Sequence, residues 1–446
     1  MTLALEAIRE CLDGQIPAVI ATCDPDGVPN CTYISQVHFV DGEHVALSFQ
    51  FFNKTRQNIL ANPVAAVMVI HPLTGARYRL QLRYLRTESE GALFENMKAK
   101  LAGIASHTGM SGVFRLQGAD VYRVTDVSPV AGQTVLPTPP RRSLLAAVRS
   151  FAQSTQRCNE LSELLDGALA QIETQLGVAH SMIHWLDESG ERLYLVASRG
   201  YAQSGVGSEI HLGQGVIGVA ANARTSIRVT HATSEYTYSR AARESVRQSH
   251  LADRLEAEIP SPGLPSPGSQ LAVPITVRDQ LLGVLYLEDA ADSRFGYDEE
   301  DAVVTMAQHL GLAAHMLGQT SERDTVRPRP AHSESAPSGQ PLVIRHYRVD
   351  DTIFVDDGYL IKGVAGAILW KLLREFDSTQ RSEFTNRELR LDASLPLPDL
   401  SSNLEARLIL LQRRLAERCG HLGIEKTGRG RFRLRVARPL RLLEAM

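Results

Sequence analysis

Cysteine is scarce in this chain and long apolar runs are missing, and each shortage excludes a class of protein. The five cysteines, Cys11, Cys23, Cys31, Cys158 and Cys419, show no Cys-x-x-Cys spacing and no His-rich tract beside them. That argues against a disulfide framework or a structural zinc site and leaves five small core thiols in a reducing compartment. No apolar run approaches the roughly 18 to 20 residues a membrane helix needs. The first residues place Glu6, Glu10 and Asp13 where a signal peptide would be basic and then apolar. The expected location is therefore the cytoplasm, with no membrane partner. A Ser-His-Asp pattern, a phosphate-binding Gly-rich loop and an HExxH helix are also missing. Charge of one sign is not in excess: 47 Lys+Arg face 50 Asp+Glu, a net of −3, so total charge names no partner.

What is present is length and asymmetry. At about 100 to 200 residues per domain, 446 residues predict two to four domains. A composition of 43% hydrophobic and 22% charged residues is that of a globular chain. From Leu342 onward 19 basic residues face 14 acidic ones, a net of +5, and from Ser401 onward 11 face 4, a net of +7. An acidic body with a basic end is the pattern of a terminal domain that meets a polyanion. The segment from Gln319 to Pro341 is rich in Pro and Ser and nearly devoid of apolar residues. It reads as a flexible linker, 321–341 in the final division. A second boundary falls near Pro137, Pro139 and Pro140. The expected units are 1–130, 140–320 and 342–446, with no repeat among them.

The first unit begins with a short helix and continues as strands, PAVIATCD, PDGVPNCTYISQVHFV and HVALSFQF, joined by turns at Pro25-Asp26-Gly27 and Asp41-Gly42. An antiparallel meander closing into a barrel is expected. The run SFQFFNKTRQNILANPVAAVMV sets Lys54, Thr55, Arg56 and Asn58 on a strand-to-helix turn. A phosphate dianion needs such cations, hydroxyls and amides. This layout resembles the pyridoxamine 5'-phosphate oxidase-like split barrel over about residues 5–128. The resemblance implies FMN, with Lys54, Thr55, Arg56 and Asn58 as cofactor-binding residues. Further substrate-binding Arg and His motifs of that family's oxidases have no counterpart here. His107, in a loop after a helix, is the alternative heme contact, and a barrel without any ligand stays open.

In the second unit, helical spacing from Leu144 to Gly177 precedes strands with Gly-bearing turns such as Glu188-Ser189-Gly190-Glu191, and a closing helix ends it. GQGVIGVAA (Gly213 to Ala221), LAVPI (Leu271 to Ile275) and LLGVLYLED (Leu281 to Asp289) stand in an order that resembles a GAF domain, an α/β sandwich, over about residues 145–318. The resemblance implies a sensor of a small-molecule ligand. The excursion from His231 to Gly268 reads as a helix and a Pro/Gly lid, over a pocket or in solvent.

In the third unit a short strand pair precedes a helix (VAGAILWKLLREF), a second helix capped by Thr385 with Glu388, and a third in NLEARLILLQRRLAERC, followed by two basic strands around Gly428 and Gly430. Three helices and a basic hairpin describe a winged helix-turn-helix. FTNRELR, LEARLILLQRRL and GRGRFRL resemble the OmpR-type winged-helix output domain across residues 345–436. The resemblance implies double-stranded DNA as partner. By helical spacing Asn403, Arg407 and Gln412 or Arg414 would face DNA from the third helix, with Lys426, Arg429 and Arg431 on the wing. Leu404, Leu408, Leu411 and Leu415 would face the core. Ile409 and Leu410 stand where polar residues are usual in that family.

The expected fold is multidomain: a β-barrel (split barrel), an α/β GAF sandwich and an α+β winged helix. The expected function is a one-component transcriptional regulator, a homodimer joined through the helices flanking the GAF sandwich, sensing a ligand or redox state. A flavin-dependent oxidoreductase with appended regulatory domains is the alternative, and a scaffold whose first two domains only dimerise is a third reading.

Overall fold

The structure is a computed structural model that describes residues 3–12, 16–49, 54–107, 116–135, 143–230, 259–321, 339–392, 394–395, 401–428 and 430–445. The expected linker, the helical middle of the 231–268 excursion, the loop after His107 and Arg429 fall largely or wholly outside these residues.

In the first unit two short helical turns, Leu5–Leu12, plug the open side of one sheet. Its strands are β1 (Ala18–Cys23), β2 (Pro29–Ile34), β3 (Val37–Phe39), β4 (His44–Phe49), β5 (Val64–Ile70), β6 (Arg77–Glu88) and β7 (Gly118–Val130). Helix α1 (Lys54–Ala61) follows β4, and α2 (Ala92–His107) crosses from β6 to β7. The β1–β2 turn forms because the Asp24 carboxylate accepts the backbone N–H groups of Asp26 and Val28, while Gly27 takes φ 82°. The order is β2-β1-β5-β6-β7-β4-β3. This corrects the expected meander: the two predicted hairpins exist, but β2 and β3, consecutive in sequence, lie at opposite edges. The sheet curls as a half-barrel and no ladder joins its edges. Alternate strand residues such as Ile20, Val45, Val67, Leu80 and Tyr122 fill its interior.

The middle unit is an antiparallel sheet of β8 (His180–Leu186), β9 (Arg192–Arg199), β10 (Glu209–His211), β11 (Ile227–Val229), β12 (Ser269–Val277) and β13 (Gln280–Asp289), in the order β10-β9-β8-β13-β12-β11. Helices α3 (Leu144–Thr155), α4 (Leu161–Gln171) and α6 (Tyr297–Ser321) cover one face. Helix α5 (Gly215–Ala223) covers the other. Gly213 and Gly215, at φ 81° and 61°, turn the chain into α5.

The last unit begins with β14 (Leu342–Tyr347), β15 (Thr352–Val355) and β16 (Gly358–Ile361). Then come α7 (Gly363–Thr379), β17 (Glu383–Thr385), α8 (Asn386–Leu391), α9 (Ser401–Arg418), β18 (Leu422–Gly428) and β19 (Arg431–Val436). The capping box at Thr385 and Glu388 is present as predicted. An unpredicted strand, β20 (Leu440–Ala445), returns to pair parallel with β14, Leu342 opposite Leu440. The β18–β19 hairpin is joined by β17 into a second sheet.

The cores of the middle and last units are not separate. One continuous apolar cluster runs from Phe151, Leu165 and Trp185 of the middle unit through Leu310 of α6 to Leu369, Leu411 and Leu415 of the last. Phe151 is fully buried on the inner side of α3. Phe151→Ala should therefore lower stability by about 3–5 kcal/mol, read as a lower urea midpoint for the middle and last units together.

Candidate functional site

The turn at α1 was expected to cradle a phosphate. Its four residues come together, but three are spent inside the barrel. Thr55 is buried and its hydroxyl accepts from the Asn30 amide at 2.8 Å. Asn58, also buried, donates to the Thr22 hydroxyl at 3.1 Å. Arg56 donates to Thr87 at 2.7 Å and to the buried carboxylate of Asp120 at 2.5 Å, with its guanidinium over the Phe49 ring. Lys54 is exposed. Arg56, Asp120 and Tyr122 line a small pocket with Ile20, Ile34 and Ser48, and residues 50–53, which lead into α1, lie outside the described residues. A phosphate dianion brought to Arg56 would meet the Asp120 carboxylate at close range. As placed, Arg56 is engaged by Asp120, so a flavin phosphate would have to compete with that carboxylate for it, and no chemistry is derived through one. His107 is the last residue of α2, and its side chain lies outside the described residues.

The basic end is arranged differently from expectation as well. Helix α9 is apolar on two sides. Leu404, Leu411 and Leu415 face the core of their own unit as predicted, and Leu408 is buried too. Ile409 and Leu410 are also buried, and Leu410 comes against Gly207 of the middle unit. Gly207 takes φ 92°, and a Cβ there would crowd the Ile259 side chain at 2.6 Å while meeting Leu410 and Arg414 at an ordinary 3.5 Å.

Arg407, expected to face DNA, is instead buried. Its Nε and Nη2 donate to the two carboxylate oxygens of Glu188 at 2.8 and 2.5 Å, and the guanidinium lies 3.7 Å from the centre of the Tyr194 ring. Burial opposes the charge, yet the Tyr194 hydroxyl and the Glu188 carboxylate move its pKa upward. Arg414 is buried too, donating to the Leu360 carbonyl at 3.1 Å, and burial with nearby Arg418 moves its pKa down. Both placements correct the sequence reading for the same reason. Helical spacing fixes the direction of a side chain but not what covers that side. Of the other expected residues, Gln412 is exposed, and Arg431 is half-buried on β19. Lys426 pairs with Glu160 at 3.1 Å and Glu405 at 3.5 Å. Asn403 lies in α9 with its side chain outside the described residues, as is Arg429 altogether.

The residues that sequence reasoning missed are the acceptors, Glu188, Asp166 and Glu160. Asp166 takes Arg413 at 2.7 Å, and the same arginine donates to the Val196 carbonyl at 2.6 Å. The one signal for them was the apolar pair Ile409-Leu410 on a supposedly exposed face. Beside this seam a cavity of about 40 Å³ is lined by Ser162, Asn386, Gln412, Lys426 and Arg431 among others.

The family model described as pyridoxamine 5'-phosphate oxidase matches residues 4–125, and the GAF domain model matches residues 160–314. The chain thus carries an oxidase-like half-barrel followed by a GAF domain. None of the curated proteins matches it. Among solved structures it is similar to the GAF domain of an Acinetobacter phosphoenolpyruvate-protein phosphotransferase, at 22% identity over 41% of this chain and 97% of that one, TM-score 0.31. It is similar also to an FMN-binding protein from Syntrophomonas wolfei subsp. wolfei, at 18% identity over 30% and 88%, TM-score 0.25. A third is the free methionine-R-sulfoxide reductase from Neisseria meningitidis in complex with its substrate, at 16% identity over 42% and 98%, TM-score 0.30.

Within the GAF domain, His184 of β8 is fully buried on the face that α5 covers, and neither ring nitrogen has a hydrogen-bond partner. Burial lowers its pKa to about 3. Below the unfolded value of 6.5 the unfolded chain takes a proton that the folded domain refuses, so stability is lost as pH falls from 6.5 toward 3. Between pH 6 and 4, His184→Leu should remove a slope of about 1.4 kcal/mol per pH unit from the stability profile. Parallel profiles for the two proteins would show a charged or solvated imidazole.

A direct test of the barrel turn is FMN fluorescence on mixing. The wild-type protein is expected to leave it unquenched, because Arg56 is committed to Asp120. Quenching that Arg56→Lys abolishes would show that the arginine leaves Asp120 for the phosphate.

Proposed function

We propose that the protein is a one-component transcriptional regulator that binds double-stranded DNA through a winged helix at residues 342–446. The observation that carries this reading is the conjunction of helix α9 with the β18–β19 hairpin in a segment whose charge from Ser401 onward is +7. Three helices, a strand β17 that pairs with the hairpin, and a basic hairpin tip turned by Gly430 at φ 63° make the arrangement that sets a helix in a groove and a wing on phosphates. The basic residues then act chiefly by neutralising phosphates and releasing counterions.

The GAF domain supplies the input. Its α5 face is proposed to take a small-molecule ligand, and the half-barrel is proposed as a second sensory module. Homodimerisation through α3 and α6 fits the same reading, since Leu145 is 81%, Leu312 51% and Met316 67% exposed on these helices. Paired winged helices on adjacent half-sites gain affinity through effective concentration. Among the described residues no helix is long and apolar enough to cross a membrane.

A salt titration with duplex DNA tests the reading. The full chain should bind with affinity that falls steeply with salt, and a chain ending at Gln340 should not bind. Arg429→Ala with Arg431→Ala should flatten the slope of log K against log salt by about 0.9 per lost phosphate contact. Equal binding by the full and shortened chains would end the proposal.

A further inference from the structure

The GAF domain and the winged helix are held together by groups that DNA would otherwise occupy. Arg407 presents its fork to the paired oxygens of Glu188, and that fork is also suited to phosphate or to the O6/N7 edge of guanine. Arg413 meets Asp166, and Lys426 meets Glu160. Lys362, at the start of α7, meets Glu209 at 3.3 Å. Four acidic groups of the GAF domain thus take cations of the last unit, in a chain whose earlier part is net acidic and whose end is net basic.

From this complementarity we propose that the acidic face of the GAF domain is a built-in competitor for DNA, holding helix α9 retracted through the Glu188–Arg407 pair. The proposal rests on the DNA-binding reading above and adds its regulation. In this arrangement Arg407, Leu410 and Arg414 are covered, so α9 cannot lie in a major groove until the seam opens. The apparent affinity for DNA is then the intrinsic affinity reduced by the fraction of molecules that are open. Opening the seam must break these ion pairs and also part of the apolar core that α9 shares with the GAF domain, and a cavity of about 40 Å³ between Ser162 and Lys426 interrupts that packing. The pair also explains why apolar residues stand at positions 409 and 410: they cover the GAF edge in the retracted state.

The experiment uses the full chain, mixed-sequence duplex DNA at low salt, and hydrogen exchange over residues 404–418. Glu188→Gln removes the charge that holds Arg407. It should raise DNA affinity on the order of tenfold and speed exchange along α9, with exchange in β8 and β9 unchanged as the sign of an intact GAF domain. Because Glu188 is nearly buried, a second variant on more exposed positions, Asp166→Asn with Glu160→Gln, should move both readouts the same way by a smaller factor. Wild-type affinity and wild-type exchange in both variants would overturn the retracted state while leaving the DNA reading intact. Faster exchange without DNA binding at any salt would uphold the holding contact and refute DNA as what it excludes.

Discussion

The pairing of Arg407 with Glu188 is the constraint on which the arrangement of the last two units depends. Taking a guanidinium and a carboxylate out of water is costly, and the mutual attraction offsets that cost only when geometry is good and both partners are present. Here the two side chains are 9% and 12% exposed, the contact is two-pronged, and Tyr194 supplies a ring face to the cation. Neither charge is tolerable alone in that place. The ion pair therefore acts as a register: it permits one way of docking α9 on β9 and penalises near alternatives. The apolar cluster that spans both units supplies the non-directional part of the same contact.

The half-barrel is tied to the GAF domain by weaker means. Helix α2 lies across α5, with the Asn96 amide donating to Thr225 at 2.9 Å and Ala99 entering the apolar cluster beneath α5. Arg9 lies over the ring of Tyr297, whose hydroxyl donates to the Leu12 carbonyl at 3.4 Å. Exposed ion pairs such as Arg9 with Asp301 contribute little. What these contacts do is place the barrel against α5, the helix that covers one face of the GAF sheet.

Local chemistry was legible in the sequence and long-range pairing was not. The capping box at Thr385 and Glu388 and the Asp26-Gly27 hairpin were readable because each is fixed by residues within a few positions of one another. The parallel return of β20 to β14 joins residues 98 apart, and the separation of β2 from β3 depends on β4 choosing β7 as its neighbour. Neither leaves a local mark. At the sites, helical and turn spacing did not disclose the partners. Arg56 was picked for a phosphate, but its anion is Asp120, 64 residues away, and Arg407 finds its own 219 residues away. The useful trace was a conflict, two aliphatic residues on a helix face assigned to solvent. Such conflicts mark contacts that periodicity within one element leaves undetermined.

The most direct test of the docked arrangement is a double-mutant cycle on stability, with Glu188→Gln, Arg407→Met and the two together, followed by urea unfolding. A buried, two-pronged pair implies a coupling of about 1–3 kcal/mol, with each single substitution costing more than the pair replaced jointly. A coupling near zero, with additive losses, would contradict it and place Arg407 and Glu188 apart in solution.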